Sequence, residues 1–120
     1  MEIDEQRLGN CIVLRPVGRL DNATSTEFQT RLLQATAAAD DVVIDLAAVD
    51  YVASGGLRAL TLALRQKPAT HRIAVAGLND IVQEIFTIAG FQQVIPIFTT
   101  VDEVRQAWGR SGRPADTTKK

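Results

Sequence analysis

The segment VVIDLAAVDYVASGGLRAL, residues 42–60, decides the fold class of this chain. It opens on an apolar run, residues 42–46, that holds a single acid, which is typical of a strand covered on both faces. The spacing of leucines then predicts a helix over residues 54–66, which Lys67 and Pro68 end. A buried strand followed closely by an amphipathic helix predicts parallel strands joined by right-handed helical crossovers.

Upstream of this segment the sequence predicts a β-hairpin. Residues 2–7 alternate weakly, residues 8–10 (Leu-Gly-Asn) predict a turn, and the apolar residues 11–17 predict a second strand that Gly18 ends. Pro16 favours a strand end or an edge, because proline has no N–H to donate to a ladder. Since the two strands follow each other directly, we predict that they pair antiparallel.

Downstream, two short strands complete the predicted sheet. Residues 73–76, closed by Gly77, form one strand, and residues 94–98 form the other, in which Pro96 again favours an edge. With the helices between them, these strands predict an α/β domain with a mixed sheet. The N-terminal hairpin is antiparallel, the remaining strands are parallel, and about four helices accompany them.

Capping residues mark the starts of the other three helices. Thr24 with Glu27, and Thr100 with Glu103, have the spacing of a capping box, and Asn79 is a favourable N-cap. The first of these helices has an apolar face of Phe28, Leu32 and Leu33 and is predicted to end at Asp40-Asp41. The helix after Asn79 has an apolar face of Ile81, Val82, Ile85 and Phe86 and is predicted to end at Gly90. The last helix has an apolar face of Val101, Val104 and Trp108.

The composition is that of a single globular domain. The chain has 120 residues, 46% of them hydrophobic, and 13 Lys plus Arg against 14 Asp plus Glu give a net charge of −1. This balance argues against direct binding of nucleic acid, which goes with a basic surplus. Residues 109–120 carry a net charge of +3, so the remainder carries −4. We predict one domain over residues 1–108 and a mobile basic tail over residues 109–120, which has little apolar surface to bury.

The sequence predicts a soluble protein of the cytoplasm without membrane insertion. Its start, MEIDEQR, is acidic and unlike a secretory signal, and no apolar run approaches the roughly 18 residues of a membrane span. Cys11 is the one cysteine, so it has no disulfide partner in the chain, and its apolar neighbours predict a small core residue.

Catalytic chemistry is poorly represented. The one histidine, His71, lies in a polar stretch and is predicted to be solvated, and Asp40 and Asp41 are predicted to form a turn. The sequence holds no Gly-x-Ser-x-Gly, no His-Glu-x-x-His and no complete phosphate-binding loop. These observations predict a protein that is not an enzyme and has no catalytic residues, metal site or cofactor.

Ser54 is the side chain with the clearest functional interest. It falls at the predicted helix start, where its hydroxyl either caps the helix or stays available to another molecule. Gly55 and Gly56 each cost about 1 kcal/mol of helix propensity against alanine, which favours a helix tip without side-chain cover. A phosphate on Ser54 would carry about −1.5 to −2 charges and would face the positive end of the helix dipole.

The order of short motifs along residues 3–108 resembles the STAS domain family, the fold of bacterial anti-sigma factor antagonists. The family pattern is a Gly-x-Leu-Asp turn, then an apolar strand ending in Asp-Leu, then Asp-Ser-Ser/Ala/Thr-Gly-Leu, which opens a helix. This chain shows GRLD at residues 18–21, IDL at residues 44–46, and ASGGL at residues 53–57. The later AGF at residues 89–91 is similar to a further bend of the family.

The resemblance implies a regulatory binding module with a phosphorylation switch. Ser54 would accept phosphate from a partner serine kinase with a histidine-kinase-like ATPase fold, often the anti-sigma factor itself. The unphosphorylated form would bind this partner, the phosphorylated form would release it, and a PP2C-type phosphatase would reset the switch. The partner-binding surface implied by position comprises Asp21, Asn22 and Thr24 in the adjoining loop and Ala53, Ser54, Gly55, Gly56 and Arg58 around the helix start.

Two departures from the family pattern leave alternatives open. Ala53 stands where the family has an acid, and Gly55 follows the serine, so Ser54 is a poorer phosphate acceptor if the acid positions the hydroxyl. Both residues also suit a constitutive STAS subunit of a lipid-transport ABC system. A nucleotide-binding module with Gly55 and Gly56 at a phosphate is a third alternative, although it lacks a suitably placed lysine and a catalytic base.

Overall fold

The computed structural model describes residues 1–109, which form one mixed sheet flanked by helices. Along the chain the elements are β1 (Glu2–Leu8), β2 (Cys11–Leu20), α1 (Ser25–Ala38), β3 (Asp41–Asp45), β4 (Val49–Val52), α2 (Ser54–Gln66), β5 (Arg72–Ala76), α3 (Asp80–Ile88), a 3₁₀ turn (Phe91–Gln93), β6 (Ile97–Phe98) and α4 (Val101–Gly109). The predicted bounds of α2 match the structure at both ends. α4 extends through Gly109, and the rest of the tail predicted for residues 109–120 lies outside the described residues.

The sheet has the predicted mixture of strand directions. Its order is β1-β2-β3-β5-β6, in which β1 and β2 pair antiparallel and every other neighbouring pair is parallel. β4 also runs parallel to β2 and pairs with it beyond the end of β3. The ends of β2 and β4 therefore lead side by side into α1 and α2, which brings the starts of these two helices together.

Both faces of the sheet are covered, as the apolar run of residues 42–46 predicts. Val42 and Ile44 point to the larger core, which α1, α2 and α3 cover with Phe28, Leu32, Leu60, Val82 and Phe86. Val43 points to the smaller core on the opposite face, where α4 contributes Val104 and half-buried Trp108. Cys11 was predicted to be a small core residue; it is half-buried and packs against this smaller core from outside it.

The strand predictions differ from the structure in several details. Gly18 does not end β2, which continues to Leu20. Gly18 adopts φ +104°, and the pairing register between β2 and β4 shifts between Gly18 and Arg19. β4 was not predicted at all, since it has only four residues and their burial does not alternate. The last strand is limited to Ile97–Phe98 because the preceding residues form the 3₁₀ turn. Pro16 lies inside β2 rather than at its end, but it pairs only with Ile3 of β1, because the pairing with β3 ends at Leu14 and that with β4 starts at Gly18. This one-sided pairing agrees with the predicted edge position.

Two of the three predicted helix caps are confirmed. The Asn79 side chain accepts a hydrogen bond from the Val82 N–H at 2.8 Å, and Thr100 Oγ1 accepts one from the Glu103 N–H at 3.1 Å. The predicted capping box at the start of α1 does not form. Thr24 is the N-cap residue, but its side chain makes no cap hydrogen bond, and the Glu27 carboxylate pairs instead with the Met1 amine at 2.8 Å.

His71 and Asp41 are more enclosed than their sequence context predicts. His71 Nδ1 lies 3.0 Å from the Thr36 carbonyl oxygen and Nε2 lies 3.4 Å from the Asp40 carboxylate, so the ring is held rather than solvated. Asp41 is not a turn residue but the buried first residue of β3, and Arg72 donates two hydrogen bonds of 3.0 Å to its carboxylate. His71 and Arg72, at the start of β5, therefore bind residues at the end of α1 and the start of β3.

Candidate functional site at the start of α2

Ser54 is the first residue of α2, and its hydroxyl does not cap the helix. The N-cap residue is Ala53, whose extended backbone is typical of that position and whose methyl group accepts no hydrogen bond. Ser54 is exposed, and within residues 1–109 its side chain makes no hydrogen bond. Of the two roles that the sequence left open, the capping role is therefore wrong, and the hydroxyl is available to solvent or to another molecule.

The backbone around Ser54 is fixed by the end of β2. The Ala53 N–H donates to the Leu20 carbonyl at 2.7 Å, while the Ala53 carbonyl accepts from the Gly56 N–H at 3.0 Å and the Leu57 N–H at 3.2 Å. These bonds join the last residue of β2 to the first turn of α2. Ser54 is thus an exposed side chain on a rigid backbone.

Contacts within the chain leave little room for a Cβ at Gly55 or Gly56. A Cβ on Gly55 would lie 2.8 Å from Ser25 Oγ and 3.1 Å from Asn22 Oδ1, and a Cβ on Gly56 would lie 3.0 Å from the Leu20 and Val52 side chains. Both glycines are buried. The expectation of a helix tip without side-chain cover is therefore corrected: the first turn of α2 packs against α1 and β2, and Ser54 alone of the three residues faces outward.

Asp21 organises the loop that lies against this helix start. Its Oδ1 accepts hydrogen bonds from the Ala23 N–H at 2.9 Å and the Thr24 N–H at 3.2 Å, and its carbonyl accepts from the Ser25 N–H at 2.9 Å. A carboxylate that bonds the N–H two residues later forms an Asx turn, which holds the loop in one shape. Asp21 therefore holds the turn together in this structure.

Thr24 closes the same loop from the other side. Its hydroxyl donates to the Arg19 carbonyl at 2.7 Å and accepts from the Asp21 N–H at 3.0 Å. Thr24 and Asp21 are half-buried, whereas Asn22 is exposed beside Ser25 and Gly55. The loop thus presents Asn22 next to the start of α2 and uses its other polar groups internally.

A residue pair beside the loop was not predicted from the sequence. The Arg19 guanidinium lies 4.7 Å from the centre of the Tyr51 ring, and Arg19 Nε lies 3.8 Å from Asp21 Oδ2. The pair depends on β4, because Arg19 and Tyr51 are opposite each other in the ladder between β2 and β4. The aromatic and β-branched residues of Val-Asp-Tyr-Val (49–52) were the signal available for that strand.

A STAS domain model matches residues 2–104 of this chain. The chain belongs to the STAS domain family. BtrV of Bordetella bronchiseptica, which is named as a candidate anti-sigma factor antagonist, is 25% identical over 99 residues, covering 81% of this chain and 85% of BtrV.

Solved structures share the same STAS fold. An anti-sigma factor antagonist from Mycobacterium paratuberculosis superposes with a TM-score of 0.83 at 20% identity, covering 88% of this chain and 92% of that one. SpoIIAA in its unphosphorylated form gives 0.75 at 15% identity, covering 90% and 97% of the two chains. The phosphorylated form of the same Bacillus protein gives 0.68 at 14% identity, covering 88% and 98%. This chain therefore has an anti-sigma-factor-antagonist-like STAS fold.

The predicted site residues of this STAS domain fall into three groups by exposure. Asn22, Ser54 and Arg58 are exposed, Asp21, Thr24 and Ala53 are half-buried, and Gly55 and Gly56 are buried. The contacts of the glycines bring the Asp21 loop and the start of α2 into one continuous surface. We call the surface of Asn22, Ser54 and Arg58 with the Asp21 loop the α2-start surface.

Within residues 1–109, no three His, Cys, Asp or Glu side chains are grouped so that they could hold a metal ion. His71 contacts Thr36 near the far end of α1, about 16 Å from the start of that helix by the rise per residue. In the same part of the chain, no helix combines the length and apolar character that a membrane span needs.

Proposed function

We propose that this STAS domain is a non-enzymatic regulatory module, similar in action to an anti-sigma factor antagonist, that binds its partner through the α2-start surface. The partner is a serine kinase with a histidine-kinase-like ATPase fold that itself acts as an anti-sigma factor in the cytoplasm. The observation that carries this proposal is the exposed Ser54 hydroxyl, which makes no hydrogen bond within residues 1–109 and lies at the start of a 13-residue helix.

The relatives support a regulatory role. BtrV carries the name of a candidate anti-sigma factor antagonist, and SpoIIAA is known in both an unphosphorylated and a phosphorylated form. Because SpoIIAA exists with and without a phosphoryl group, phosphorylation is the modification that we propose for this chain. We assign it to Ser54, which stands at the serine position of the family pattern.

The proposed modification is a phosphoryl transfer from ATP bound to the kinase. The Ser54 Oγ–P bond forms as the bond from the γ-phosphorus to the bridging oxygen breaks, ADP leaves, and the hydroxyl proton passes to a base on the kinase. Ala53 offers no carboxylate beside the hydroxyl, so positioning falls to the rigid backbone of α2 and to the kinase. A PP2C-type phosphatase would return the hydroxyl by hydrolysis.

A phosphate at Ser54 acts on the complex more than on the free module. In the free module it is solvated at the positive end of the α2 dipole, which favours a negative charge. In the complex it would be enclosed between two surfaces and would lose that hydration. A loss of about 3 to 4 kcal/mol weakens binding several-hundredfold, which is enough for a switch.

Phosphorylation by a kinase of the stated fold tests the proposal. Each such kinase encoded in the same genome is incubated with ATP and the wild-type chain, and the modified residue is located by mass spectrometry. Ser25→Ala is the matched control, because Ser25 is the first residue of α1 as Ser54 is of α2. We expect one phosphate on the wild type and on Ser25→Ala, and none on Ser54→Ala.

Binding of the kinase without phosphorylation would reduce the proposal to a constitutive binding module. Finding the protein with a membrane transporter instead would favour the lipid-transport subunit.

A further inference from the structure

Arg58 lies one helical turn after Ser54 on the surface of α2. Both residues are exposed, and within the described residues 1–109 neither side chain has a hydrogen bond or ion pair. The α2-start surface thus contains an exposed cation four residues after the exposed hydroxyl, and within residues 1–109 neither group has a partner. The proposed function gives the hydroxyl a role but does not say what the cation does once Ser54 is phosphorylated.

Helix geometry places Ser54 within reach of the Arg58 side chain. Residues at positions i and i+4 are neighbours on a helix, with Cβ atoms about 5–6 Å apart. Because helical side chains lean toward the N-terminus, an arginine at position 58 can extend over the preceding turn, to which Ser54 belongs. The guanidinium group of an arginine can donate two parallel hydrogen bonds to a phosphate, and such bonds between charged groups are the strong ones.

We propose that Arg58 is the intramolecular counterion of a phosphate on Ser54. This inference rests on the proposed phosphorylation and adds to it the residue that receives the new charge. In the unphosphorylated module Arg58 is free to contact an acidic side chain of the partner. In the phosphorylated module it turns to its own phosphate, so the partner meets added negative charge and loses a cation at the same time.

Other cations of the described chain are less suited to this role. Arg15 donates a 2.9 Å hydrogen bond to Asp45, and Arg19 stacks on Tyr51 beside the Asp21 carboxylate. Arg65 is exposed on α2 as well, but eleven residues after Ser54 the helical rise places it about 16 Å away. Arg65 therefore provides a matched control, an arginine on the same helix outside the reach of the phosphate.

The test uses the full chain with phosphoserine incorporated at position 54 during translation, so that no kinase is needed. The second ionisation of a phosphoserine lies at about pH 6, and a neighbouring cation lowers its midpoint because it favours the dianion. We expect the ³¹P NMR titration midpoint to rise by about 0.5 pH unit in Arg58→Gln relative to the parent chain, and to stay unchanged in Arg65→Gln. Arg58→Lys should keep part of the effect, because it keeps the charge without the planar pair of donors.

The outcome separates the two proposals. Identical midpoints in the parent chain and in Arg58→Gln would overturn the counterion role, and so would equal shifts in Arg58→Gln and Arg65→Gln. Because the phosphate is installed directly, neither result depends on whether a kinase recognises Ser54. A chain that shows the Arg58 effect but is not phosphorylated by any kinase would instead contradict the proposed function alone.

Discussion

Gly55 of α2 packs directly against Ser25 of α1, so closely that a Cβ on Gly55 would lie 2.8 Å from Ser25 Oγ. Ser25 and Ser54 are the first residues of their helices, and the contact therefore joins two helix starts. The positive ends of two helix dipoles meet here, an arrangement that the Asp21 carboxylate offsets. The α2-start surface is thus a single packed unit whose geometry depends on the absence of two side chains.

Gly56→Ala should destabilise the chain by about 1–3 kcal/mol, because the new methyl group would lie 3.0 Å from core side chains of Leu20 and Val52. Gly55→Ala should cost less, since it meets the ends of two polar side chains, and Ser25→Ala in the same chain should recover part of that loss. Urea unfolding measures each free energy of unfolding. Gly109→Ala is the control, because a Cβ there meets no atom within 4 Å. A loss at Gly109→Ala as large as at Gly56→Ala would contradict the packing explanation.

Ala53→Asp and Ala53→Asn should each stabilise the chain by about 0.5–1 kcal/mol. Ala53 has the extended backbone of an N-cap but no acceptor, and either side chain would supply an oxygen to the free N–H groups of the first turn. Ala53→Asp should gain slightly more, since a negative charge is favourable at a helix start. Thermal and urea unfolding give the comparison. Unchanged or lower stability in both variants would show that position 53 is not a simple helix cap.

Asp21→Ala should lower the free energy of unfolding by about 1–2 kcal/mol, because the Ala23 N–H loses its acceptor and the Thr24 N–H keeps only the Asp21 carbonyl, at 3.2 Å. Asp21→Asn keeps an acceptor oxygen and should cost less than half as much. Urea unfolding of the two variants separates the contribution of the Asx-turn hydrogen bonds from that of the carboxylate charge. If both variants lose the same amount, the carboxylate charge rather than the Asx turn stabilises the loop.

Arg72→Ala should destabilise the chain by about 2–4 kcal/mol, because it removes two 3.0 Å hydrogen bonds from the buried Asp41 carboxylate. The Arg72 guanidinium also lies 4.6 Å from the centre of the Trp108 ring, and Trp108 is the one tryptophan of the chain. Its fluorescence should therefore change with this substitution even under native conditions. Arg72→Lys should keep part of the stability but lose the planar stacking. An unchanged emission spectrum in both variants would contradict this arrangement.

Much of the fold could be predicted from periodicity and from strong local signals. The apolar run of residues 42–46 and the leucine spacing of α2 each extend over a whole element, because each element is buried along its length. These patterns therefore predict the sheet and its helical crossovers. β4 escaped prediction because four residues are too few to show a period, and its pairing with β2 depends on the irregularity at Gly18. The capping box at Thr24 failed for a similar reason: the Arg19 carbonyl and the Asp21 N–H, which it bonds instead, are brought there by the tertiary fold.

The candidate site was predictable in its position and not in its packing. The serine, the two glycines and the Asp21 loop stand out in the sequence, and the structure brings them together. The reason for the glycines could not be predicted, because Ser25 and Leu20, the residues that exclude a Cβ, belong to other elements of the fold. The Arg19–Tyr51 contact was equally hidden, since it requires the unpredicted strand β4.

The central claim is that the state of the Ser54 hydroxyl controls binding at the α2-start surface. It is tested most directly by calorimetry of the partner kinase with three forms of the chain: unmodified, phosphoserine at position 54, and phosphoserine in place of Thr70, an exposed turn residue outside the α2-start surface. We expect phosphoserine at position 54 to weaken binding several-hundredfold relative to the unmodified chain, and phosphoserine at position 70 to weaken it far less. Equal dissociation constants for the unmodified chain and the chain phosphorylated at Ser54 would contradict the account.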